Sequence, residues 1–316
     1  MNPLPTLPPL IRVVEVGLRD GLQAVFEPIL TAQAKIEVVE RLIDAGVREI
    51  EAVSFAHPSV LPQLADAAEV MAGVPRPVGV RYRGLVPNLR GAQRAVQTGL
   101  DEIVVVVSAE EEVSLRNQNR TTAQVLAELA EIGPLVRDSG ADLVVGIACA
   151  FFAPAYGPVA WERTVAVVDA AVDAGATGVY LAATSGMDHP YEVVPGIGRV
   201  RERHPHLAVG VHLHNRNGLA MANAIAAMAA GVDWLETSFG GLGGDMWFPG
   251  DPEVLGNAPT EDLVHTCHML GVDTGIDLAR YLDVVKLVAE ETRRSSVSFV
   301  SRGGSRDELA NASWPE

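Results

Sequence analysis

A chain of 316 residues, 48% hydrophobic and 20% charged, has the apolar material for a large buried core and is not of the composition that stays disordered. Its formal net charge of −16 excludes nucleic acid or an anionic membrane surface as a main partner, because either would repel it at long range, and leaves an anionic substrate to local cations. Two cysteines, Cys149 and Cys267, are too few for a disulfide framework or a thiolate-built zinc site.

Met1 to Leu10 carries four prolines and no basic stretch ahead of an apolar run, so it does not read as a signal peptide. No uninterrupted apolar run reaches spanning length, and a reducing cytoplasm is the expected compartment. The β-branched run Arg12 to Val16 predicts a first strand, ending in Gly17-Leu18-Arg19-Asp20-Gly21-Leu22-Gln23. Thr31 then caps a helical pattern in which Ile36, Val39, Leu42 and Ile43 recur at three- and four-residue spacing until Gly46 stops it.

This unit repeats. A small residue plus glycine leads directly into an apolar strand at Gly46 into Ile50 to Phe55, Gly99 into Ile103 to Val107, Gly140 into Leu143 to Ile147, Gly175 into Val179 to Ala182, and Gly231 into Trp234 to Ser238. Strands near Arg12, Val78 and Leu207 bring the total to eight, alternating with helices. Such alternation implies a parallel sheet with helical crossovers, and eight units closing on themselves make a TIM (β/α)8 barrel. A doubly wound open sheet is the alternative.

In a barrel of this type the chemistry sits at the C-terminal ends of the strands. Asp20 follows strand one, Glu51 lies in strand two, and Val211-His212-Leu213-His214 ends strand seven. On a strand the two histidines project to the same side about 7 Å apart along the backbone, poised to chelate one ion. The alternative for such a pair is one core histidine and one solvent-facing one. After strand eight, Phe239-Gly240-Gly241-Leu242-Gly243-Gly244-Asp245 opens a long irregular segment, about residues 239–259, that reads as a lid loop over the barrel of residues 1–270. Thr260-Glu261-Asp262 reads as a helix start with an N-cap and an acidic first turn. Residues 271–316 read as a helical extension, Leu278 to Leu287 continuing to Arg294, with a polar, frayed tail from Ser295.

Asp20, His212 and His214, with an amide oxygen such as that of Asn257, make a mixed nitrogen and oxygen shell open to substrate. It suits Mg²⁺ or Mn²⁺ first, with Co²⁺ or Zn²⁺ as alternatives. Taken singly, Asp20 is a turn former and Asn257 a residue preceding a helix. Arg19 can stabilise an oxyanion or enolate beside such a centre, or form a structural salt bridge to Glu51, or both. His57 lies near the rim; His189, His204, His206, His265 and His268 read as surface or capping residues, and Glu110-Glu111-Glu112 as a solvated cluster.

These residues carry a resemblance. From about Val13 to about Val285 the chain resembles the 3-hydroxy-3-methylglutaryl-CoA lyase family, within the wider group of metal-dependent lyases and condensing enzymes on TIM barrels. The most specific pieces are Val14-Glu15-Val16-Gly17-Leu18-Arg19-Asp20-Gly21-Leu22-Gln23, Ile50-Glu51-Ala52-Val53-Ser54-Phe55, Val211-His212-Leu213-His214, Gly241-Leu242-Gly243-Gly244 and Gly256-Asn257-Ala258-Pro259-Thr260-Glu261-Asp262-Leu263. The resemblance implies that Asp20, His212, His214 and Asn257 hold a divalent cation, that Arg19 faces a thioester enolate, and that Glu51 supports Arg19 or the metal site. It also implies an acyl-CoA thioester as substrate and a homodimer formed through the helices after the barrel. In the implied reaction the tertiary hydroxyl loses its proton to His212 or to solvent on the ion. The carbon–carbon bond then breaks to a ketone and an acetyl-CoA enolate, which is quenched by a proton donor.

The chain departs from its relatives at three places. Asp245 stands where the family has a loop cysteine, with Met246-Trp247-Phe248-Pro249 in a loop about three residues longer. Ala182-Ala183-Thr184 replaces a Gly-Asp-Thr, and Asn215-Arg216-Asn217 follows the second histidine in place of an aspartate and small or aromatic residues. Asp245 is a candidate proton donor if desolvated under Trp247 and Phe248, a candidate base for the condensing direction, or a plain turn residue. The leading function is a divalent-metal-dependent carbon–carbon lyase cleaving a 3-hydroxyacyl-CoA, or a related 3-hydroxy acid, to an acetyl-CoA-type enolate and a ketone or keto acid. The alternatives are an aldolase or Claisen-type condensing enzyme with the same metal site, and a non-catalytic ligand-binding relative.

Overall fold

The computed structural model describes residues 6–244, 248–249 and 255–314. Among them, β1 (Arg12–Glu15), β2 (Glu49–Ser54), β3 (Arg81–Leu85), β4 (Glu102–Ser108), β5 (Asp142–Ala148), β6 (Gly178–Ala183), β7 (Ala208–Leu213) and β8 (Trp234–Thr237) close into one barrel. Every neighbouring pair is parallel, in the order β1-β8-β7-β6-β5-β4-β3-β2, so the expected TIM barrel is the observed fold. A crossover helix follows each of the first seven strands. The first, Ala32–Asp44, begins where expected: Thr31 Oγ1 accepts the Ala34 amide at 3.2 Å, and Gly46 takes the left-handed turn back to the sheet at φ +98°.

Strand alternation decides what faces the site. On β7, Val209, Val211 and Leu213 are buried outward against the helices, which puts Gly210 and His212 on the inner face. On β4, Ile103, Val105 and Val107 pack outward while Val104 faces the axis. The lumen is filled by Val14, Val16, Val104, Val144, Tyr180, Ala182 and Trp234. Two glycines make room for its rings: a Cβ on Gly210 would lie 2.1 Å from Trp234 Cε2, and one on Gly146 would lie 2.2 Å from Tyr180 Cζ.

Four expectations are corrected. The third strand starts at Arg81; Val78 is fully exposed in a turn in which the Val80 amide bonds Pro77 O at 3.2 Å. Thr260 is the first residue inside the helix Thr260–Leu270, with Pro259 at the cap position, and its hydroxyl donates to Glu15 Oε2 at 2.8 Å. Glu261 and Asp262 form the expected acidic first turn, and both are buried acceptors. Glu261 takes the Gly240 amide at 3.1 Å and the Ser296 hydroxyl at 3.2 Å. Asp262 takes Ser298 Oγ at 2.7 Å and the amides of Phe299 and Val300 at 3.0 and 2.9 Å. The segment from Ser295 is therefore anchored, and beyond the helix Leu278–Thr292 it forms two short helices, Phe299–Gly303 and Arg306–Ala310, each capped by a serine side chain. Finally, Glu110 is buried in an ion pair with Arg163 instead of being solvated. Among the described residues no helix is long and apolar enough to cross a membrane.

Candidate active site

At the end of β1 the chain makes one π-type turn, Gly17–Gly21, in which Val16 O accepts the amides of Arg19, Asp20 and Gly21 at 3.1, 2.7 and 3.3 Å. Single turns of this kind recur at functional sites. This one buries both Arg19 and Asp20. Glu15, the last residue of β1, braces the turn. Its carboxylate accepts the amides of Gly17 and Phe239 at 2.8 and 3.0 Å, as well as the Thr260 and Tyr281 hydroxyls. Burial nevertheless pushes its pKa up to about 7.

Asp20, His212 and His214 offer three ligand atoms within 4.8 Å of one another, all buried. His214 follows β7 and is fixed by a bridge to Asn257 and by its Nδ1, which donates to Leu255 O at 2.9 Å. Since a carbonyl only accepts, that nitrogen carries the proton and Nε2 keeps its lone pair. His212 Nδ1 faces Glu236 Oε2 at 3.1 Å, which favours the same tautomer. The two Nε2 atoms then stand 3.1 Å apart, each 3.9 Å from Asp20 Oδ2. Adjacent ligands on an octahedral ion with bonds of about 2.1 Å are separated by about 3 Å. Asn257 Nδ2 donates to Asp20 Oδ2 at 2.7 Å and to Leu242 O at 3.0 Å, while its Oδ1 is buried without a partner among the described residues. Converging lone pairs, a carboxylate and an orphaned amide oxygen fit a divalent cation, and no thiolate takes part.

The electrostatics agree with that donor set. Burial alone would raise the Asp20 pKa, but Arg19, His212 and His214 hold it well below the usual carboxylate range. For His214, burial and the neighbouring His212 lower the pKa to about 4, so the ring is neutral and able to ligate. Burial also opposes charge on His212, but the hydrogen bond to Glu236 and the charge of Asp20 outweigh it and raise its pKa.

Arg19 forms the salt bridge to Glu51 and pairs with Asp20 as well. Nη1 donates to Asp20 Oδ1 at 2.5 Å and Nη2 to Glu51 Oε2 at 2.9 Å, while Nε is buried and unpartnered among the described residues. Glu51 Oε1 is likewise buried and unpartnered, and burial raises the Glu51 pKa. The turn, the middle of β2 and the end of β7 thus bring Arg19, Asp20, Glu51, His212 and His214 together with Asn257. Asp245 and Trp247 lie outside the described residues, as does much of the 239–259 segment. Phe248 packs against Val113, Cys149 and Ala153, and Arg216 Nη1 donates to Pro249 O at 2.9 Å. His57 is exposed, with Ser59 as its partner.

Glu236 was not anticipated. Within Trp234-Leu235-Glu236-Thr237 it reads as an ordinary polar alternation; only the register Glu236↔His212 between β8 and β7 reveals its place. Arg83, buried on β3 and donating to Glu236 Oε1 at 2.8 Å, was missed for the same reason.

The HMGL-like family model matches residues 10–288. Among curated relatives, the chain is 35% identical over 305 residues to (R)-citramalyl-CoA lyase of Chloroflexus aurantiacus, covering 93% of this chain and 95% of that protein. It is 33% identical over 307 residues to the mitochondrial hydroxymethylglutaryl-CoA lyase of Arabidopsis thaliana, covering 97% of this chain and spanning 65% of that protein's length. Among solved structures, an HMG-CoA lyase from Acinetobacter baumannii in complex with coenzyme A and 3-methylmalate superposes with a TM-score of 0.91 at 31% identity, covering 97% of this chain and 98% of that one.

Proposed function

The chain belongs to the HMGL-like family and is a carbon–carbon lyase, and we propose that it cleaves a 3-hydroxyacyl-CoA thioester to an acetyl-CoA-type enolate and a ketone or keto acid. The observation that carries this reading is the pair of Nε2 atoms on His212 and His214, 3.1 Å apart with their Nδ1 atoms already committed, beside the buried Arg19–Asp20 pair. Mg²⁺ or Mn²⁺ is the ion we assign to Asp20, His212, His214 and Asn257, because oxygen and imidazole donors without thiolate suit it. When bound, that ion polarises the substrate's hydroxyl and eases its deprotonation.

The chain's own groups do the rest. Arg19 is fixed by Asp20 and Glu51 and has Nε left as a buried donor for the thioester oxygen, where negative charge develops as the enolate forms. A preorganised cation there needs no reorganisation during the reaction. As a ligand, His212 has both ring nitrogens in use, so we place the mobile proton on Glu51 Oε1, which is partnerless and on a carboxylate of raised pKa. A homodimer through the helices after the barrel is supported by the exposed apolar side chains of Val297, Phe299, Leu309 and Trp314.

The test is a mass-spectrometric screen of 3-hydroxyacyl-CoA thioesters and free 3-hydroxy acids with Mg²⁺ or Mn²⁺. The expected result is metal-dependent release of acetyl-CoA with a ketone or keto acid from at least one thioester. If no thioester is cleaved while a keto acid undergoes aldol condensation, the lyase reading fails.

A further inference from the structure

We propose that Glu236 is the positioning residue of the metal centre, setting the tautomer and the ring orientation of His212 from a brace that spans the barrel. This rests on the metal reading of the site, and it concerns residues that do not themselves touch the substrate.

Glu236 and His212 are register partners on adjacent parallel strands, both on the lumen face. The two oxygens of Glu236 have separate duties. Oε1 accepts Arg83 Nη1 at 2.8 Å and Trp234 Nε1 at 2.9 Å; Oε2 faces His212 Nδ1 at 3.1 Å. With Oε1 saturated by two donors, the carboxylate cannot rotate without breaking both bonds, and Oε2 stays pointed at one ring nitrogen. Arg83, which is 2% exposed, is itself gripped by Glu49 at 3.4 Å and by Glu102, and its guanidinium lies 5.0 Å over the Trp234 ring. Glu49 is held in turn by Arg12 through bonds of 2.6 and 2.8 Å. The brace therefore runs from the N-terminal mouth of the barrel to the metal ligands at the opposite end.

An acceptor at Oε2 keeps the proton on His212 Nδ1 and leaves Nε2 as a lone pair toward His214 and Asp20. Partners of this kind commonly tune metal affinity by 10–100-fold. Glu236→Gln preserves the shape but reverses the instruction. Arg83 and Trp234 both donate, so the amide oxygen must face them, and the NH₂ group then faces His212. Nδ1 must accept, and the proton moves to Nε2, where it blocks the ion.

The experiment titrates Mn²⁺ into wild type, Glu236→Gln and Glu236→Asp by electron paramagnetic resonance. It also records ¹⁵N spectra of histidine-labelled, metal-free protein at a pH at which the rings are neutral. We expect Glu236→Gln to weaken Mn²⁺ binding about 10–100-fold, with His212 changing from the Nδ1–H to the Nε2–H form. Glu236→Asp restores an acceptor and recovers part of the affinity. A purely structural role would lower the melting temperature and leave the Mn²⁺ midpoint unchanged, and that result overturns the proposal. So does a wild-type His212 protonated at Nε2, which can be read even if a variant does not fold. Failure of the lyase reading looks different: Mn²⁺ binds with the expected dependence on Glu236, yet no thioester is cleaved.

Discussion

Asn257 Nδ2 donates to Asp20 Oδ2 at 2.7 Å across 237 residues of sequence, tying the last metal-site residue of the chain to the first. The bond leaves Asn257 Oδ1 buried and without a donor among the described residues. The two side chains thus hold each other in place and still present an oxygen to a cation.

Replacing a ligand separates binding from chemistry. His214→Ala is expected to lower Mn²⁺ affinity at least 100-fold and to abolish turnover, while the melting temperature of the metal-free protein changes little. Calorimetric titration with Mn²⁺ and thermal melts with and without EDTA measure both. In wild type the ion raises the melting temperature by mass action, and EDTA removes that increment.

Arg19→Met removes the donor at the developing enolate and is expected to cost about 10²–10³ in kcat with a much smaller change in KM. Steady-state kinetics on the thioester found in the screen decide it. A fall below tenfold would show that Arg19 serves only to pair Asp20 and Glu51.

Burial raises the Glu261 pKa to about 8 from an ordinary 4.5, so the folded state binds a proton that the unfolded chain releases. The sign follows: this contribution to stability is complete below about pH 4.5 and is lost as the pH climbs toward 8. Glu261→Gln cannot titrate. Thermal melts from pH 5 to 8 should therefore show wild type losing roughly 5 °C more than the variant, a difference of about 3 kcal/mol. Parallel pH profiles would contradict it.

Asp262→Ala removes the acceptor for Ser298 Oγ and for the Phe299 and Val300 amides. Hydrogen bonds to a charged group contribute about 1.5–3 kcal/mol each. Hydrogen exchange at residues 299–303 should accelerate at least tenfold, with the strands unaffected. Unchanged protection there would mean that packing alone holds this end of the chain.

The barrel was legible in the text because five of its strands are apolar runs that follow a helix-ending glycine, and that signal is local; the third strand, with Arg81 and Arg83 in it, lacks the signal and was misplaced. Asp20, His212 and His214 were legible because period-two spacing and a strand-end position put them on one rim. Glu236 and Arg83 were not: each sits singly in a short strand, and their meaning lies in a contact between residues 153 positions apart. The helices beyond Ser295 were hidden for a related reason. Their sequence is polar, and they are fixed by Glu261 and Asp262, which on local grounds read only as the acidic first turn of a helix.

Trp234 and Tyr180, seated against Gly210 and Gly146, cork the lumen beneath the metal ligands. The lumen below His212 is therefore packed with side chains, and Asp20, His212 and His214 face the C-terminal rim, so a methyl group added at Gly210 or Gly146 would displace a ring of this plug before it touched a metal ligand.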